Sequence, residues 1–133
     1  MTFDPSTYQS RLYPNPPCWA LVADVYATER GHVVENYTPL STSIRTIAAT
    51  FRMHLRAGTH GFERISKPQD LTFVLLGQSS ISGPHHAGIY WRGSVLHALG
   101  SGVLFQDLAS VRDAYALVEF WDRGLHHSPE LRT

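Results

Sequence analysis

Between residues 18 and 30 the apolar positions Cys18, Leu21, Val22, Val25 and Tyr26 recur three and four apart, the spacing that lines one side of an α-helix. Asn15 ahead of Pro16 and Pro17 supplies an N-cap and two residues whose missing N–H is harmless at a helix start. Gly31 supplies the C-cap. The stripe therefore predicts a helix with Cys18 in its first turn, on the buried side. A second stripe, Ile44, Ile47, Ala48, Phe51 and Leu55, predicts a helix over 43–56, broken by Gly58 and Gly61. After that the period changes. Residues 71–76 form a continuous apolar run, expected of a central strand. Segments 86–91, 94–99 and 103–108 read as further strands, and Arg92-Gly93 and Gly100-Ser101-Gly102 as hairpin turns between them. A polar loop is expected over 78–84, a short helix over 109–115 and a last strand over 117–121. Helices precede strands without βαβ alternation, so the expected class is α+β: N-terminal helices packed on an antiparallel β-sheet, in one domain across residues 1–133.

Charge narrows the function. Eleven basic and eleven acidic side chains cancel, which removes the electrostatic footprint expected of a nucleic-acid partner or an anionic membrane surface. No stretch reaches the ~20 apolar residues of a membrane span. The first ten residues carry neither a basic region nor an apolar run, so no signal peptide is expected. His54 and His60 have no carboxylate or thiol at ligand spacing, so neither a metal nor a cofactor is expected. His85 is expected on the loop surface, and His126 and His127 in a solvated polar tail. A single cysteine rules out an internal disulfide and leaves one thiol to explain.

That thiol is Cys18. Buried cysteines are commonly small hydrophobes, but a first-turn position places free N–H groups and the helix dipole beside the sulfur, so a depressed pKa is expected. A two-residue turn at Arg92-Gly93 makes Trp91 face Ser94 and, counting back, Gly88 face His97. His86 then lies diagonally from His97 on the same face, at ~7–8 Å between Cα atoms and within reach through the ring nitrogens. Gly88 would leave room there for the helix bearing Cys18. A thiol, an imidazole beside it and a second polar group orienting that imidazole make the constellation of a thiol hydrolase.

These residues resemble the NlpC-type cell-wall peptidases, papain-like thiol hydrolases of bacteria and their phages. The family's cysteine opens a helix in an Asp-Cys-Trp/Ser-x-Leu/Phe-Val motif, similar to Pro17-Cys18-Trp19-Ala20-Leu21-Val22, with Pro17 standing for the aspartate. Its histidine begins a His-x-Gly-Ile/Val-Tyr strand, as in His86 to Tyr90, and its third polar residue precedes alanine, as in Leu96-His97-Ala98. Pro68-Gln69-Asp70-Leu71 matches its Pro-x-Asp strand entry, and Glu29-Arg30-Gly31 is similar to the phage branch. The resemblance implies a papain-like fold with Cys18, His86 and His97 as catalytic residues and Tyr13 as oxyanion donor. It implies a peptidoglycan stem peptide as substrate, cut at the γ-D-glutamyl-diaminopimelate amide. It also implies tail tip or hub proteins as partners, and a location in the phage virion or, before assembly, in the host cytoplasm. Apolar surface including Phe120 and Trp121 is the expected contact with such a partner. The alternatives are a tail component that keeps the fold without the activity, and a related amidase or acyltransferase.

Overall fold

Asp4 opens the first helix, α1 (Pro5–Gln9), by accepting the Ser6 N–H at 3.0 Å, and Pro5 sits where its missing donor is harmless. The helix carries Tyr8 into the core, where its ring stacks on Phe3. In the computed structural model, residues 3–13, 17–33, 62–81 and 83–123 are described. The second helix, α2 (Cys18–Arg30), starts at the cysteine itself with Pro17 as N-cap, rather than at the expected Asn15, which lies outside the described residues. Pro17 offers no capping side chain, although its carbonyl accepts the Leu21 N–H at 3.1 Å. Gly31 ends the helix at φ 69° as expected. The stripe Leu21, Val22, Val25 and Tyr26 is fully buried, each such side chain contributing ~1.5–3 kcal/mol by leaving water. The helix expected over 43–56 lies outside the described residues.

Among the described residues six strands follow: β1 (Phe62–Ile65), β2 (Thr72–Gly77), β3 (His86–Trp91), β4 (Ser94–Leu99), β5 (Gly102–Asp107) and, after helix α3 (Leu108–Ala114), β6 (Leu117–Arg123). They make one antiparallel sheet in the order β1-β6-β2-β3-β4-β5, so the protein is α+β. The last strand inserts between β1 and β2 and makes β2 central. Helix α2 covers one face, against Phe73, Leu75, Ala87, Ile89, Leu96 and Ala98. Helix α3 covers the other, where Val111 meets Val74, Leu76, Val95 and Phe120. Cover on both faces is why β2 reads as an unbroken apolar run, buried along its length.

The expected turn at Arg92-Gly93 is present. Arg92 (φ 45°) and Gly93 (φ 85°) both adopt left-handed backbone, the two-residue hairpin geometry that matches strand twist. Its register pairs Trp91 with Ser94 and Gly88 with His97, as predicted. At the far side, Arg30 of α2 pairs with Asp122 of β6, which also accepts from the Tyr26 hydroxyl at 3.0 Å. Of the expected apolar contact surface, Phe120 is buried instead, and Trp121 is half-buried, stacking on Phe73 with centroids 6.4 Å apart. No helix among the described residues is long and apolar enough to cross a membrane.

Candidate active site

Residues His86, Gly88, Val95 and His97 alternate onto the α3 side of the sheet. Nε2 of His86 lies 2.9 Å from Nδ1 of His97, with the rings tilted at 74°. Gly88 makes this possible, though not by admitting α2 as the spacing suggested. A Cβ there would fall 3.0 Å from the Cβ of His97 and 2.8 Å from both Val95 Cγ1 and the Leu96 carbonyl oxygen, so the missing side chain is the space those neighbours occupy. Nε2 of His97 in turn lies 2.7 Å from Oε1 of Gln106. The Tyr115 ring, just past α3, stacks on His86 at 5.7 Å and 22°. His86 and His97 are both buried. Burial, then the neighbouring His97 and His85, pulls the His86 pKa down to about 3. Burial also lowers that of His97, opposed by the hydrogen bond to Gln106. Both imidazoles are therefore neutral at neutral pH.

The sulfur is differently placed. Cys18 belongs to the buried cluster on the α2 side that also holds Ala87, Ile89, Leu96 and Ala98, and the Ala87 backbone lies against it. The expectation that thiol and imidazoles share one face is corrected: alternation along β3 sends Ala87 toward α2 and His86 away from it. Among the described residues no hydrogen bond joins the sulfur to either imidazole. The two sets meet instead at the start of β3. The β3–β4 ladder stops at Gly88–His97, and beyond it the Ala87 N–H, with those of Cys18 and Trp19, favours a thiolate on Cys18. The expected depressed pKa is corrected as well. Cys18 is only 6% exposed, and desolvation outweighs these donors, pushing the thiol up to about 11. Tyr115 stacks on His86, and its pKa is raised first by burial and then by the charge Cys18 carries when ionised.

Tyr13, expected as an oxyanion donor, is engaged elsewhere. Its hydroxyl donates to Asp24 Oδ2 at 2.6 Å, which also receives Arg11 at 2.6 Å. Asp24 lies six residues beyond Cys18 on α2, about 9 Å along the axis. His85 is half-buried against Tyr115 rather than on the loop surface. His54, His60, His126 and His127 lie outside the described residues. Among the described residues no three His, Cys, Asp or Glu side chains gather as a metal site.

Two residues of this arrangement went unnoticed in the sequence. Gln106 escaped because the expected three-residue turn at Gly100-Ser101-Gly102 would pair His97 with Phe105 and turn Gln106 to the other face. The turn is Gly100-Ser101 alone: Gly102 already pairs with Leu99, and His97 faces Leu104 with Gln106 on the same face, opposite Val95. Tyr115 carried no signal, because only the packing of α3 brings it over His86. Comparison of the chain with family models, curated proteins and solved structures finds no match.

Proposed function

We propose that this chain is a papain-like thiol hydrolase of the NlpC type, acting on an amide of the peptidoglycan stem peptide. Cys18 is the nucleophile, His86 the proton carrier and His97 the group that orients His86. The observation that carries this reading is the 2.9 Å contact between His86 Nε2 and His97 Nδ1, at the strand start that also lies against Cys18. With Nε2 engaged, Nδ1 of His86 is the nitrogen left for proton transfer. With the thiol at about 11 and the imidazole at about 3, the proton stays on sulfur at rest. Attack is then general-base assisted: sulfur bonds to the carbonyl carbon as Nδ1 takes the thiol proton. The Ala87, Trp19 and Cys18 N–H groups, which favour negative charge on the sulfur, serve as donors for the developing oxyanion. His86 returns the proton to the departing amine, and water, deprotonated by the same nitrogen, releases the acyl group.

The motif resemblance assigns the bond as γ-D-glutamyl-diaminopimelate and the setting as a phage tail, with tip or hub proteins as neighbours and the virion as location. One observation favours a second reading, a tail component that keeps the fold without the activity: Cys18 is nearly closed to solvent and unbonded to the imidazoles. Digestion of purified muropeptides by wild type and Cys18→Ser separates the two. Wild type should release cleaved stem peptides and the variant none. Equal, background release from both would overturn the hydrolase reading in favour of the second, and turnover of simple amides or esters without muropeptide cleavage would mark a related amidase or acyltransferase.

A further inference from the structure

We infer that Gln106, on the edge strand β5, is a positioning residue that fixes the protons of both buried histidines and so leaves His86 Nδ1 bare. The argument starts from what each atom is able to do. An amide oxygen only accepts. Gln106 Oε1, 2.7 Å from His97 Nε2, therefore requires a proton on that nitrogen. A neutral imidazole has one N–H, so Nδ1 of His97 is then an acceptor, and its 2.9 Å contact requires the proton of His86 to sit on Nε2. The remaining nitrogen, His86 Nδ1, carries a lone pair. The order is Gln106 Oε1, His97 Nε2–H, His97 Nδ1, His86 Nε2–H, His86 Nδ1, with every donor facing an acceptor.

The chain of protons holds only while both rings are neutral. A proton added to His97 would make Nδ1 a donor, turn His86 Nε2 into an acceptor and place a hydrogen on the nitrogen needed as base. Burial of the two rings and the cover of Tyr115 over His86 oppose that charge. Register explains why Gln106 reaches. It stands opposite Val95 on β4, and His97 is its diagonal neighbour on the same face. Unlike the histidines, Gln106 is exposed, so the far end of the relay is open to substitution without disturbing the core. Its importance for catalysis rests on the thiol hydrolase reading, whereas its effect on proton position does not.

The test is imidazole nitrogen NMR on the ¹⁵N-labelled full chain near neutral pH, in wild type, Gln106→Glu and Gln106→Met. In wild type both rings should show a protonated Nε2 and a bare Nδ1. Glutamate keeps an acceptor oxygen and should preserve that pattern. Methionine removes it, and the ratio of tautomers at His97 should shift toward Nδ1–H by about fivefold, the weight of one neutral hydrogen bond. A protonated Nδ1 on either ring of wild type, or a Gln106→Met spectrum identical to wild type, would overturn the inference. The expected shift in a protein that cleaves no muropeptide would sink the hydrolase reading while leaving the assignment of Gln106 in place.

Discussion

Acid should loosen this fold well before its carboxylates titrate, and His86 is the main reason. Its folded pKa is held near 3 by burial, against an unfolded value of 6.5. Between those values the unfolded chain binds a proton that the folded chain refuses, so stability is full above pH 6.5 and falls as pH drops toward 3. Each pH unit in that window is worth about 1.4 kcal/mol. From pH 6.5 to about pH 4, His86 alone accounts for roughly 3 kcal/mol, a large part of the ~5–15 kcal/mol that holds a domain together. His97, also lowered by burial, adds to the slope in the same direction. Asp24 acts in the same sense but in a lower window: burial raises its pKa, the Tyr13, Arg11 and Thr28 hydrogen bonds prevail and lower it, and its contribution is lost as pH falls below 3.8. Urea unfolding at several pH values between about 4 and 7, on wild type and His86→Gln, isolates the effect. Wild type should lose stability across the interval, and the variant should lose distinctly less, whatever its stability at neutral pH. Parallel curves for the two proteins, or an NMR titration of His86 centred near 6.5, would refute the reasoning.

Two further outcomes follow from the same geometry. Gly88→Ala places a Cβ at 2.8–3.0 Å from Val95, Leu96 and His97; it should destabilise the protein by ~1–3 kcal/mol and break the His86–His97 contact, checked by urea unfolding together with the imidazole NMR signals. Cys18 should resist iodoacetamide near pH 6 and react appreciably only as pH rises toward its value of about 11, and rapid alkylation of the folded protein at pH 6 would show that the thiol is neither buried nor neutral.

Strand placement was accessible from residue types because the signals are local. The runs at β2 to β6 lie within a residue or two of their predicted bounds, and Arg92-Gly93 settled the one register on which the histidine pair depends. The elements that escaped are short. β1 reads Phe-Glu-Arg-Ile, with two charges in its middle, and α1 has one turn and little more than its Asp4-Pro5 cap to announce it. The pKa of Cys18 departs from expectation for a different reason: a helix start is visible in sequence, whereas the depth at which it is buried is set by strands distant along the chain. The face occupied by α2 was foreshadowed more than the motif suggested. Ala87, Ile89, Leu96 and Ala98 form the apolar side of the hairpin, and the helix stripe had to cover that side, leaving His86 and His97 to the other.

A sulfur on one side of a strand and its imidazole on the other make the spacing between layers a chemical variable. Cys18 moves with α2, Tyr115 follows α3, and β3 carries His86 between them. Under the hydrolase reading, the seating of α2 on the sheet sets how sulfur and imidazole approach, because the thiol rides on the helix and the imidazole on the strand. Leu21 and Ile89, both fully buried in the cluster that seats α2 on the sheet, would then tune reactivity although neither one touches a proton.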